Sequence, residues 1–188
     1  MLAPKLPIGI KSRMLSALAA AAALSLVTLA PGAAFAQPKP MPLGSFGDWH
    51  AFALQQGKTK TCYLVGRPTA SAPAGLKRGD PYIMISDTPV QKVDREFSIN
   101  FGYVLKKGTE PGLSVGTDHF ALVVFDKPGY EQTGWAKDSA GDHTIALAME
   151  KGDSLAAKGV SSHGTETTDT YSLNGVSAAL KAIGAACK

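Results

Sequence analysis

Four histidines, His50, His119, His143 and His163, are the residues of this chain best suited to proton transfer or metal ligation. Two follow aspartates, in Asp118-His119 and Asp142-His143, and a metal-dependent hydrolase would bring His119 and His143 together with a carboxylate around one ion. Neighbours on a strand point to opposite faces, so one dipeptide cannot easily supply two ligands, and each reads as a turn aspartate leading into a strand histidine. The stretch GVSSHG, residues 159–164, lacks the Gly-x-Ser-x-Gly pattern of a serine hydrolase and reads as a loop. There is no phosphate-cradling glycine loop and no His-Glu-x-x-His helix. Glu96, Glu110, Glu131, Glu150 and Glu166 are scattered near turns, and a glycosidase pair does not follow from their spacing. The sequence therefore assigns no catalytic residue, no metal ligand and no cofactor.

The remaining candidates are for contact. Arg78-Gly79-Asp80 is an adhesive-type tripeptide that an exported protein would display on a loop, although Pro81 and Tyr82 follow at once and Asp80 also suits a turn. Trp49 in FGDWHAF and Trp135 in TGWAK would mark a contact surface if exposed and core if they lie in alternating strands.

The ends of the chain set the compartment. Lys5, Lys11 and Arg13 precede an apolar run over residues 14–30, and Ala-Phe-Ala at 34–36 fits small-x-small cleavage, so residues 1–36 read as a secretory signal peptide cut before Gln37. The run lies at the short edge of what spans a bilayer, and no integral membrane segment is expected after cleavage. Of the 19 basic residues three lie in this leader, leaving 16 against 15 acidic ones. A nearly neutral chain lacks the basic face that nucleic acid requires. Cys62 and Cys187 would then meet an oxidising compartment, where a disulfide is the simple reading. A metal pair or a redox pair is the alternative, though the latter usually shows Cys-x-x-Cys spacing. A bridge across so long a loop has an upper value of about 5 kcal/mol in the chain-entropy account.

Residues 37–45, with three prolines, read as an extended lead-in, and 46–188 as a single domain. Its pattern is mostly of period two. In FSINFGY, Phe97, Ile99, Phe101 and Tyr103 share a face, and in HTIALAME His143, Ile145, Leu147 and Met149 do the same. YIMIS and HFALVVF read as strands covered on both sides. About eight such segments, separated by turn formers, predict a mainly β domain, an antiparallel sandwich or barrel. TETTDTYSL reads as the last strand, with Tyr171 and Leu173 on one face. Asn174 would then cap a short C-terminal helix whose apolar stripe is Val176, Ala179, Leu180 and Ile183 and whose stop is Gly184.

FGDW at 46–49, CYLVGRP from Cys62, RGDPYIMIS from Arg78, FGYVLKKG from Phe101, GWAKD from Gly134 and KGVSSHGTETTDTYSLNGVSAAL near the end resemble the invasion-associated locus B family over residues 46–187. Trp49, Thr168, Asp169 and Tyr171 belong to these motifs. Many members carry a further cysteine soon after the tryptophan, where this chain has Phe52 and Ala53. The resemblance implies an exported bacterial protein with a name linked to host-cell invasion and no catalytic residues to transfer. The expected function is binding, in the periplasm, at the outer membrane or after release, to an envelope protein, a glycan or a host molecule.

Overall fold

The computed structural model describes residues 38–188; the predicted signal peptide, residues 1–36, and its cleavage point lie outside the described residues. In chain order the first strands are β1 (Met41–Phe46), β2 (Trp49–Gln56), β3 (Thr59–Gly66), β4 (Ala70–Ala72), β5 (Tyr82–Thr88) and β6 (Val93–Asn100). They are followed by β7 (Gly112–Val115), β8 (Asp118–Ala121), β9 (Thr133–Trp135), α1 (Ser139–Lys151), β10 (Ser154–Val160), β11 (Glu166–Ser172) and α2 (Val176–Ala186). A six-stranded sheet runs β1-β2-β3-β5-β6-β9 and a five-stranded one β4-β11-β10-β7-β8, with antiparallel pairing throughout. The fold is the predicted one: mainly β, antiparallel and sandwich-like, with a short C-terminal helix. No helix among the described residues is long and apolar enough to cross a membrane.

Alternation builds the core. Trp49, Ala51 and Ala53 of β2, Cys62 and Leu64 of β3, Ile83 and Ile85 of β5, and Phe97 and Ile99 of β6 are buried. They pack in one cluster with Leu113, Leu155, Ala157 and Tyr171 of the other sheet and with Ile145, Met149, Leu180 and Ile183 of the helices.

Three expectations are corrected. HTIALAME is not a strand but lies in α1. The Asp138 carboxylate caps that helix by accepting from the Gly141 N–H at 2.9 Å, alanines favour it, and Ile145 and Met149 are one helical turn apart on the buried side while Leu147 faces out. The alternation there is a by-product of helical spacing. Residues 37–45 are not simply a lead-in: β1 starts at Met41 and pairs with β2 as an edge strand, a position where Pro42 costs no ladder bond, with a bulge between Pro42 and Gly44. HFALVVF breaks after Ala121, and its continuation bridges the other sheet through Val123 and Trp135.

The terminal helix carries the predicted buried stripe of Val176, Ala179, Leu180 and Ile183, but its ends differ. Gly175, not Asn174, is the cap, and no side chain caps the helix. Gly175 has φ +91°, and a side chain there would collide with the Phe46 carbonyl oxygen. Asn174 serves elsewhere: its carbonyl accepts from the Asp48 N–H at 3.2 Å. The Trp49 indole N–H donates to the Ser172 carbonyl at 3.0 Å, so FGDW is held against the end of β11. The helix continues past Gly184 to Ala186 because the Cys187 N–H still reaches the Ile183 carbonyl, at 2.9 Å.

Cys62 and Cys187 form the predicted disulfide across a separation of 125 residues. Beside it the Lys60 ammonium donates to the Ala186 carbonyl at 2.6 Å, which places a cation at the negative end of α2. An 11-residue helix has little stability alone, so it depends on its stripe and these two anchors. Replacing both cysteines by serine is expected to lower unfolding free energy by about 2–5 kcal/mol in urea titrations. An unchanged midpoint would mean that Lys60 and the apolar stripe hold α2 unaided.

Candidate functional site

β11 turns Thr167, Asp169 and Tyr171 to the interior, and the Asp169 side chain has no exposure. An isolated carboxylate there would be very costly. Arg78, its side chain 8% exposed, answers it with both terminal nitrogens: Nη1 donates to Asp169 Oδ2 at 2.8 Å and Nη2 to Asp169 Oδ1. Nη1 also donates to the Phe101 carbonyl at 3.0 Å and Nη2 to Ser71 Oγ at 3.0 Å, while the Ser71 hydroxyl donates to Asp169 at 2.6 Å. The hydrogen bond to Asp169 raises the guanidinium pKa further above its ordinary value. The Tyr103 ring lies 5.8 Å from the guanidinium carbon, and its hydroxyl is 2.6 Å from Thr167 Oγ1. Burial, with the Asp169 charge adding to it, holds the Tyr171 phenol far above its usual pKa, and its hydroxyl has no hydrogen-bond partner.

This geometry takes apart the tripeptide read as adhesive. The Arg78 guanidinium points inward to Asp169, the Gly79 N–H donates to the Gly102 carbonyl at 2.8 Å, and only the Asp80 carboxylate, 84% exposed, faces solvent, 3.2 Å from Arg67. Of the residues in the motifs that carry the resemblance, Trp49, Asp169 and Tyr171 are buried, and Thr168, on the opposite face of β11, aligns with Ala72 of β4 and Lys158 of β10.

The histidines are dispersed. His119 on β8 has Nδ1 2.9 Å from Ser114 Oγ, and His143 on α1 has Nε2 3.4 Å from Asp94. Among the described residues no group of three or more His, Cys, Asp or Glu side chains could hold a metal ion. GVSSHG is the turn between β10 and β11, closed by the Gly164 N–H on the Ser161 carbonyl at 2.8 Å. Comparison with family models, curated proteins and solved structures gave no match.

An exposed apolar surface lies where residues 101–106 cross between the sheets. The Phe101 and Leu105 N–H groups donate to Gln132 and Glu131, both at 2.9 Å. On the other side Lys106 donates to Val160 at 2.9 Å and Ser162 donates to the Val104 carbonyl at 2.7 Å. This doubly bonded segment forms one wall of a groove of about 270 Å³ lined by Val104, Lys106, Val124, Phe125, Asp126 and Glu131. Phe125 is 51% exposed, Val104 43% and Tyr130 39%. Trp135 joins Phe125 to Tyr130, with ring centroids at 6.2 and 6.3 Å, and its buried indole N–H has no partner. Lys107 and Asp126 link the walls at 2.9 Å. The sequence marked Trp135 and Glu131 here; Phe125, just before the turn DKPGYE, and Tyr130, within it, were the available signal.

A second, partly buried set braces α1. Asp87 accepts from the Arg95 N–H and Asp142 from the Phe97 N–H, both at 2.8 Å, and Arg95 pairs with Glu150 at 2.9 Å. Burial raises the pKa of Asp87, Glu96 and Asp142. A raised folded-state pKa gives stability that is full below the unfolded value and lost as pH rises through the folded one. Asp87→Asn keeps the acceptor without the charge. It should be at least as stable as wild type at neutral pH, with the two melting temperatures converging as pH falls into the carboxylate range; a gap that widens on acidification would contradict this.

For the interior pair, Asp169→Ala leaves Arg78 without its counter-ion and should cost about 3–5 kcal/mol in urea unfolding. Arg78→Met combined with Asp169→Leu should recover most of the loss, because the desolvation of both charges disappears together.

Proposed function

We propose that this chain is an exported cell-envelope protein of the invasion-associated locus B type that works by binding, with the groove beside Val104, Phe125 and Tyr130 as its contact surface. The observation that carries the reading is that aromatic and apolar side chains stand exposed together on segments fixed by backbone hydrogen bonds. Rigid exposed aromatics contribute large contact area at little entropic cost. Elsewhere the conspicuous polar residues are engaged in holding the fold, as the Arg78–Asp169 pair is. The sequence features of an exported leader and the family resemblance support an envelope location, and the disulfide is compatible with it. The partner on this reading is an envelope protein, a glycan or a host molecule met in the periplasm, at the outer membrane or after release.

The test is affinity capture from native envelope with disulfide-intact residues 37–188, comparing wild type with Phe125→Ser and Val104→Ser. A partner that binds wild type and is weakened about thirtyfold by Phe125→Ser, the loss of one aromatic anchor, supports the groove. Capture insensitive to both substitutions would move the contact surface elsewhere.

A further inference from the structure

The crossing segment 101–106 has a second lined space beside Tyr103, one residue from Val104 in the groove wall. It is a pocket of about 120 Å³. This is several times the roughly 10–15 Å³ that one water needs on the same measure, and so is room for a small oxyanion. Lys77, Arg78 and His163 line it together with Tyr103, Ser161 and Thr167, no carboxylate is in its wall, and its lining surface is more apolar than polar. Leu76 supplies an apolar side.

Two groups that line the pocket each have a donor with no acceptor among the described residues. Arg78 has five N–H donors. The four on its terminal nitrogens are accounted for by Asp169, Ser71 and the Phe101 carbonyl, and Nε–H has no acceptor among the described residues. Ser161, 7% exposed, accepts at Oγ from the Thr165 N–H at 3.1 Å, but its own O–H has no acceptor among them. Asp169 balances the Arg78 charge, whereas Lys77 and His163 form no ion pair among the described residues.

We propose that this pocket is an oxyanion site that takes a phosphate-like group, with Lys77 and His163 as the outer donors and Ser161 and Arg78 as the inner ones. The group is either inorganic or the phosphate of a lipid headgroup; the recognition chemistry is shared. The site is independent of the groove, and it gives a role to the His163 loop that the fold alone leaves unused.

The experiment is amide-resolved NMR of disulfide-intact residues 37–188, titrated with inorganic phosphate at constant ionic strength, with chloride as control. A parallel arm adds vesicles of phosphatidylglycerol or of phosphatidylcholine. The expected result is saturable shifts confined to residues 76–79 and 161–167 with phosphate and not chloride. Affinity should fall about tenfold in Lys77→Gln and in Ser161→Ala, the effect of one hydrogen bond to a charged group. Both substitutions leave the Arg78–Asp169 pair in place. Saturation by phosphate with no response to either vesicle assigns a small-ion site; a response to phosphatidylglycerol alone assigns a headgroup site. Shifts equal in chloride, or an affinity unchanged in both variants, would overturn the proposal.

Discussion

A carboxylate with no solvent access governs the centre of this protein. A carboxylate buried this fully needs a cation beside it, and for Asp169 that cation is Arg78, 91 residues earlier in the chain. To deliver it, the connection from β4 to β5 must lie against the five-stranded sheet, where Ser71 completes the carboxylate's hydrogen bonds and the Phe101 carbonyl takes another guanidinium proton. The pair therefore specifies where an otherwise irregular segment lies, although a matched apolar pair would serve stability nearly as well. Its contribution is to position the segment, which then forms one side of the pocket at Tyr103.

Much of the fold was legible because period-two patterning and turn chemistry act locally. The strands at YIMIS, FSIN and TETTDTYS, the C-terminal helix and the Cys62–Cys187 bridge all follow from such signals. HTIALAME misled for a physical reason: Ile145 and Met149 satisfy both a two-residue and a four-residue repeat, and Asp138 as helix cap was the feature that could distinguish them. Asn174 misled because its backbone carbonyl, not its side chain, carries the interaction.

The site was far less legible, since what matters there is long-range. The motif Arg-Gly-Asp reads as display only while its surroundings are unknown; Arg78 is claimed by a residue on β11 and Gly79 by the backbone of Gly102. One clue was present, an aspartate on the same alternation as Thr167 and Tyr171, which marks a charge aimed at the core. The groove had a weaker clue, because Val104, Phe125 and Tyr130 lie in segments whose patterning ends at the neighbouring strands. The FGDW and TYSLNG motifs turned out to touch each other through Asp48, Trp49, Ser172 and Asn174, so their distinctiveness reflects closure of the two ends of the domain.

The segment 101–106 carries Tyr103 to the pocket beside Arg78 and Val104 to the groove beside Phe125, and it is hydrogen-bonded on both flanks. Backbone hydrogen bonds to Gln132 and Glu131 on one flank and to Val160 and Ser162 on the other fix where each residue sits between them, so an insertion or deletion there would break the pairing on one flank and set different residues before the two spaces. The length of this segment, more than the identity of its side chains, is what the two surfaces share.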